Sequence, residues 1–330
     1  SDVDVSEAGA ARAVVERPND CGGRVRLQTT SFKELSNPAK TGCNVNHYIG
    51  GAVPTFSRET MQAAKVLVAI PARFGSQRLP GKPLRLIDGE PLICHTVRAV
   101  RAASCVHHVL VATDHADIAS AAQHAGAEAV MTESSLSSGT DRIAAAIRSI
   151  RASMESVDAV VNVQGDEPFI DPAAVDLVAH VLLNCAQADI STLSAPLVAE
   201  DLLDTAKVKV VASAAAALAS GASPHLDTGR ALYFSRAPIG VERDALGRLL
   251  GQLQAGVQFA PNAGPQVHFG CRLHLGIYAF RPAALQRFVA LPPSRLESLE
   301  RLEQVDTCPL RPAQLTFSPA ETCALADARS

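Results

Sequence analysis

Four short runs of aliphatic and β-branched residues, Val66–Ile70, Val109–Thr113, Ala127–Met131 and Ala159–Val163, alternate with segments whose apolar residues recur at helical spacing. Runs of this kind read as buried strands. Between them, Ile93, Val97 and Val100 share one face of a helix over Pro91–Ala103. A second helix is expected over Asp117–Ala125, and a third over Asp141–Ile150 with Ile143, Ile147 and Ile150 in register. Asp171-Pro172 then supplies an N-cap followed by proline at the first helical position. Val175, Val178, Ala179 and Leu182 make the helix it opens amphipathic. Such alternation predicts an α/β fold, with a mostly parallel sheet and helices on both faces. Beyond Ile190, short strands at Val208–Ala212 and Gly276–Phe280 mix with helices, as in a smaller inserted or dimerising lobe. Ser220–Pro224 and Gly251–Val267 read as loops.

The first strand runs into Pro71-Ala-Arg-Phe-Gly-Ser-Gln-Arg-Leu-Pro-Gly-Lys-Pro-Leu84. Its prolines and glycines cannot continue a ladder. The result is a loop at a strand's carboxyl end that carries Arg73, Arg78 and Lys82. Backbone N–H groups, hydroxyls and fixed cations gathered in one loop suit a polyphosphate. The Gly-Lys-Ser/Thr ending of a P-loop is absent, since Pro83 follows Lys82.

Open parallel sheets bind ligands outside the carboxyl ends of their strands. Two further strand ends carry chemistry there. One is Asp114-His115, where Asp114 also suits a helix N-cap. The other is Gln164-Gly-Asp-Glu-Pro168, whose adjacent carboxylates suit Mg²⁺ held partly by substrate phosphates. Beside the basic loop, Asp166 is the candidate metal ligand. Ser137-Ser-Gly-Thr-Asp-Arg142 opens a helix and reads by itself as a Ser/Thr cap. Arg236, His274 and Tyr278 fall near strands and, taken singly, read as packed structural residues. The charged run Leu296–Gln304 reads as a solvated helix face.

Composition narrows the function classes. A net charge of −3 points to no nucleic-acid or anionic-membrane partner. No apolar stretch approaches the length of a membrane-spanning helix. The eight cysteines are scattered without a CxxC pair, which predicts neither a zinc module nor a disulfide framework but the reduced thiols of an intracellular protein. Residues 1–60 lack periodicity and read as an extension, disordered or targeting, with the folded part beginning near Met61.

Taken together, the loop Pro71–Leu84, Val111-Ala-Thr-Asp-His115, Ser138-Gly-Thr140, Asn162-Val-Gln-Gly-Asp-Glu-Pro168, Tyr233-Phe-Ser-Arg-Ala-Pro238 and His274-Leu-Gly-Ile-Tyr278 closely resemble the 3-deoxy-manno-octulosonate (Kdo) cytidylyltransferase family. The similarity runs from about Lys65 to Gln304, with all six motifs in the family's order. It implies a nucleotide-diphosphosugar-transferase-like fold over 61–304 with a dimerisation and sugar-binding lobe. It also implies a homodimer that transfers CMP from CTP to the anomeric hydroxyl of Kdo with Mg²⁺ as cofactor. CMP-sialic acid synthesis and a non-catalytic nucleotide-binding remnant are the competing readings. By position, the resemblance places Arg73, Ser76, Arg78 and Lys82 on the triphosphate. Ser138, Arg142 and Gln164 fall around the nucleotide, Lys209 near the phosphates, and Asp166 on the metal. Arg236, His274, Tyr278, Glu303 and Gln304 face the acid sugar. Arg73, Lys82 and Asp166 would carry the catalysis. A bacterial member would be cytoplasmic; a targeting extension would instead direct the chain to a mitochondrion or another organelle.

The chain departs from the family pattern in two places. Ser137 stands where the family has Gln. After Leu302-Glu-Gln304 the family continues to a Gly-Val-Asp-Thr-Pro-Glu-Asp-Leu signature whose first Asp is a second metal carboxylate. Here Val305-Asp-Thr-Cys-Pro-Leu310 leads into a divergent tail over 305–330. Asp306 echoes that signature but arrives roughly twenty residues early, beyond ordinary loop variation. A metal held through Asp166 alone would be held less firmly.

Overall fold

The computed structural model describes residues 64–75, 79–150, 157–197, 199–212, 227–244, 246–247, 251 and 270–306, with short strand segments at 11–12, 28–29, 315–317 and 324–326. The expected extension over 1–60 lies outside these residues, apart from the antiparallel pair Ala11–Arg12 and Gln28–Thr29. Most of the loops expected at Ser220–Pro224 and Gly251–Val267, and most of the tail, also lie outside them.

Strand β1 (Val66–Ala72) is the spine of the sheet. It pairs in parallel with β2 (Val106–Thr113) on one side and β4 (Ala159–Asn162) on the other. Strand β3 (Glu128–Met131) extends the parallel set from β2. The strands alternate with α1 (Leu92–Arg101), α2 (Ala116–His124), α3 (Gly139–Ser149) and α4 (Pro172–Asn184). The expected alternation is therefore present, and so is the Asp171 cap, whose carboxylate accepts from Ala173 N at 2.8 Å.

The pleat of β1 shows why the layers form. Val66, Val68 and Ile70 face one side, packed among residues of α1, α2 and α4. Leu67 and Ala69 face the other, with Ile143 and Ile147 of α3. All five are at most 2% exposed. A strand buried on both faces must be apolar at every position, as this run is.

The second half adds antiparallel strands. β5 (Ile190–Ala195), β6 (Lys209–Ala212), β7 (Ala231–Ser235) and the long β8 (Cys271–Phe280) join the same sheet. β8 starts five residues before the expected Gly276: Cys271 and Leu273 already face a small core of their own. Its register against β5 slips between Leu275 and Tyr278, across Gly276, where a residue without a side chain tolerates a bulge. Helices α5 (Pro282–Val289) and α6 (Arg295–Glu300) follow. The strand Ala324–Ala326 pairs antiparallel with β5. Among the described residues no helix is long and apolar enough to cross a membrane.

Ile93 of α1 is fully buried, whereas Leu86 is 67% exposed. Ile93→Ala is expected to cost about 2–5 kcal/mol in urea unfolding. Leu86→Ala should stay within about 0.5 kcal/mol.

Candidate active site

β8 meets its neighbours at opposite ends. Tyr278 pairs with Asn162 at the carboxyl end of β4, while Leu273 pairs with Lys209 at the start of β6. A cavity of about 560 Å³ opens between those strands. Leu193, Leu275, Ile277 and Phe280 contribute an apolar wall; Asn162, Gln164, Glu167, Glu303 and Gln304 contribute polar groups. Arg236, His274 and Tyr278 also line it, so six of the sequence-predicted residues converge on one cavity.

Its floor depends on close backbone approach. A Cβ on Gly165 would lie 2.9 Å from Pro71 O, so only glycine lets the Gln164-Gly-Asp turn pack against the end of β1. Ser138 caps α3 as its local pattern predicts. Its Oγ accepts from Asp141 N at 3.0 Å, and its own N–H donates to Asp141 Oδ2 at 3.2 Å. The hydroxyls of Ser138 and Thr140 also donate to the Glu303 carboxylate. Burial pushes Glu303 above the ordinary carboxyl range, and nearby Asp141 adds to this against those hydrogen bonds. Glu167 is likewise raised, by burial and then by Asp166, with Lys82 opposing.

The basic loop is pinned at Phe74. Its N–H donates to Asp114 Oδ1 at 2.8 Å, its carbonyl accepts from Gly81 N at 2.9 Å, and its ring stacks on His115 with centroids 4.2 Å apart. Gly81 takes the left-handed conformation, φ 67°, that turns the chain into Lys82–Leu84. Lys82 then reaches across to an ion pair with Asp166, both side chains part-exposed at 37% and 49%. Arg73 is exposed at the end of β1. Ser76 and Arg78 lie outside the described residues.

Three other predicted cations have protein partners. Arg142 is buried: its Nη2 pairs with Asp114 Oδ2 at 3.2 Å and its Nη1 donates to Thr132 Oγ1 at 2.6 Å. Asp114 is thus not the cap of α2; His115 fills that place, accepting from Asp117 N. Lys209 is also buried, its Nζ donating to the carbonyls of Asp204, Lys207 and Arg236 at 2.8 Å each. Burial lowers its pKa. Arg236 donates from Nε to Glu300 O at 2.7 Å, from Nη1 to Thr205 O at 3.0 Å and from Nη2 to Arg301 O at 3.3 Å.

His274 is enclosed by Phe234 and Tyr278. The Thr192 hydroxyl lies 2.7 Å from Ile277 O and 2.9 Å from His274 Nε2. Thr192 has one proton; donating it to that carbonyl makes it the acceptor of His274 Nε2–H and leaves the lone pair on Nδ1. Burial raises Tyr278, with Glu303 adding to it, so both rings present neutral hydrogen-bonding groups.

The expected solvated helix face over Leu296–Gln304 holds as far as Glu300, since the helix buries no residue, and fails beyond it. The helix ends at Arg301, in the left-handed region at φ 52°, and the next turn carries Glu303 and Gln304 to the cavity. Sequence reasoning missed Glu300 and Thr192, because a mid-run glutamate and a strand threonine carry no local sign of long-range partners.

The donor set fits a divalent cation only in part. Among the described residues no cluster of three His, Cys, Asp or Glu groups is poised for a metal. An ion at Asp166 would take its other ligands from phosphate oxygens and water, as Mg²⁺ commonly does.

A basic loop, a carboxylate turn and a capped helix start, all at the carboxyl ends of parallel strands, define a nucleotidyltransferase. A family model described as "Cytidylyltransferase" matches residues 67–311. The chain is 44% identical over 241 residues to a 3-deoxy-manno-octulosonate cytidylyltransferase of Anaeromyxobacter sp. (strain Fw109-5), covering 73% of this chain and 83% of that one. It is 40% identical over 245 residues to the protein of the same name from Acidobacterium capsulatum, covering 74% and 84%. A solved structure of CMP:2-keto-3-deoxy-manno-octonic acid synthetase complexed with CTP matches with TM-score 0.55 and 33% identity, over 73% of this chain and 84% of that one. The chain belongs to the cytidylyltransferase family, among its 3-deoxy-manno-octulosonate cytidylyltransferases.

Burial pushes His274 down to about 3 from an ordinary 6.5. Between those values the unfolded chain binds a proton that the folded protein does not. Stability therefore falls as pH drops below 6.5, with a slope of up to about 1.4 kcal/mol per pH unit. His180, lowered by burial to about 4, adds the same sign. His274→Gln should show a slope shallower by about one proton in chemical unfolding between pH 6.5 and 4; parallel wild-type and variant curves would contradict the neutral, buried imidazole.

Proposed function

We propose that the protein transfers CMP from CTP to the anomeric hydroxyl of Kdo and releases pyrophosphate. The observation that carries this reading is the convergence of Gln164, Arg236, His274, Tyr278, Glu303 and Gln304 on one cavity beside the Lys82–Asp166 pair, in a chain of this family.

The hydroxyl oxygen of Kdo attacks the α-phosphorus of CTP. A new P–O bond forms, the bond from the α-phosphorus to the bridging oxygen breaks with its electron pair passing to that oxygen, pyrophosphate leaves, and the hydroxyl proton passes to solvent. Bringing an acid sugar to a triphosphate sets like charges against each other, a repulsion that fixed cations offset. In this reading Arg73, Ser76, Arg78 and Lys82 hold the triphosphate, with Arg73 and Lys82 stabilising the leaving pyrophosphate. Gln164 and Ser138 border the nucleotide. Arg142 and Lys209 act through the backbone and Asp114, fixing the walls on which the ligands rest. Asp166 would hold Mg²⁺, which when bound would supply charge neutralisation and polarisation at the α-phosphoryl group.

At the acceptor end, neutral His274 offers Nδ1 to a sugar hydroxyl, and Tyr278, Glu303 and Gln304 add polar contacts. Arg236 faces the sugar carboxylate from the cavity wall. Glu303, held by two hydroxyls, ties this half to the start of α3.

We also propose a homodimer. Leu232 on β7 and Leu296 and Leu299 on α6 are exposed apolar residues of the second half of the chain. Light scattering should give twice the mass of one chain.

Purified protein with CTP, Mg²⁺ and Kdo should release pyrophosphate, and N-acetylneuraminate in place of Kdo should not support it. Asp166→Asn should lower kcat/KM on the order of 100-fold, the scale of losing a group that stabilises transition-state charge. Saturable CTP binding with no turnover on either sugar would overturn the proposal and leave a nucleotide-binding remnant.

A further inference from the structure

The Glu300 carboxylate is a junction. Arg236 N donates to Oε2 at 2.6 Å, Ser235 Oγ donates to Oε1 at 2.7 Å, and Tyr233 OH lies 3.3 Å from Oε1. Ser235 is itself oriented, because its Oγ accepts from Ala237 N at 3.0 Å. The backbone of the same glutamate takes part: Arg236 Nε donates to Glu300 O, and Arg236 Nη2 reaches Arg301 O. The end of β7 and the end of α6 are therefore clasped by four hydrogen bonds to Glu300 and a fifth to Arg301, and Arg236 lies 64 positions from Glu300 in sequence.

What lies beyond the clasp gives it meaning. Arg301 bends the chain through the left-handed region immediately after Glu300. Arg301 N donates to Glu297 O at 2.7 Å, and Leu302, 4% exposed, anchors the turn in the core. Glu303 and Gln304 follow on the cavity wall. Only Arg301 and Leu302 stand between Glu300 and Glu303, so a displaced clasp displaces the acceptor side of the cavity. The hydrogen bonds that Glu300 makes are to Tyr233, Ser235 and Arg236, whereas Lys82 pairs with Asp166. Burial pushes the Glu300 carboxyl up, but the hydrogen bonds from Arg236 N, Ser235 and Tyr233 outweigh it and hold the group below its ordinary range. A glutamate merely solvated on a helix face would have neither the partners nor that shift.

We propose that Glu300 is a positioning residue for the acceptor sugar: by clasping Tyr233-Phe-Ser-Arg236 it fixes Arg236, Glu303 and Gln304 in the cavity. The proposal rests on the acceptor reading given above.

Two measurements on the full chain test it. Glu300→Ala should raise KM for Kdo by about tenfold or more, since small misplacements of positioning groups carry such losses, while KM for CTP stays within about twofold. In hydrogen exchange, the amides of Arg301, Leu302 and Val305 should exchange about tenfold faster, with α1 unchanged. Glu300→Gln keeps one acceptor and should recover most of both effects; if Glu300→Ala does not fold, Ser235→Ala, which removes one donor to the Glu300 carboxylate, should show the same two effects in smaller measure. Unchanged exchange at 301–305 overturns the clasp whatever the activity. Equal rises in both KM values overturn the acceptor-specific role. A wild-type protein inactive on Kdo overturns the functional reading instead, and the exchange result still decides whether Glu300 holds the turn.

Discussion

Everything at the site depends on how closely three stretches of backbone meet at Pro71. The proline ring stands 3.1 Å from where a Cβ on Gly139 would be, and its carbonyl 2.9 Å from one on Gly165. The start of α3 and the Gln164-Gly-Asp turn can close on the end of β1 only because both lack a side chain. That closure brings Asp166 within reach of Lys82, and it sets Ser138 and Thr140 where Glu303 can accept from them. Widening the contact by one methyl group would separate the basic loop, the carboxylate turn and the cap from one another.

The parallel half was legible because its physics is local. A strand buried on both faces is apolar throughout, a helix packed on a sheet shows its stripe, and Asp171-Pro172 and Ser138 announce helix starts through their own backbone chemistry. The candidate site was legible in a different way, through motifs whose resemblance named residues, six of which line one cavity. What escaped is non-local. A charged side chain shows that a partner is needed without showing which. Arg142 finds Asp114, Lys209 finds three carbonyls, and Glu300 finds a strand end 64 residues away.

Those buried cations divide the labour of charge. In a low-dielectric interior an unpaired ammonium or guanidinium is costly, so Arg142 and Lys209 hold partners that satisfy them. Removing Asp114 would strand Arg142 and release Phe74 N together. Cations so committed fix the loop and the strand ends. In the proposed function, those on the surface, Arg73 and Lys82, are the ones that meet the ligand.

The Lys82–Asp166 pair follows from the same reasoning taken to the solvent boundary. Both groups are more than a third exposed, so water screens their attraction and the pair contributes at most about 1 kcal/mol. In the proposed reaction, a triphosphate arriving with a divalent cation would offer Lys82 a more highly charged partner and Asp166 a metal. The exchange would trade one weak, screened contact for two stronger ones. A buried pair in the same place would resist that exchange, because separating it would leave two uncompensated charges in the interior. Exposure would thus allow one lysine and one aspartate to neutralise each other in the free protein and, in the proposed reaction, still give way to substrate.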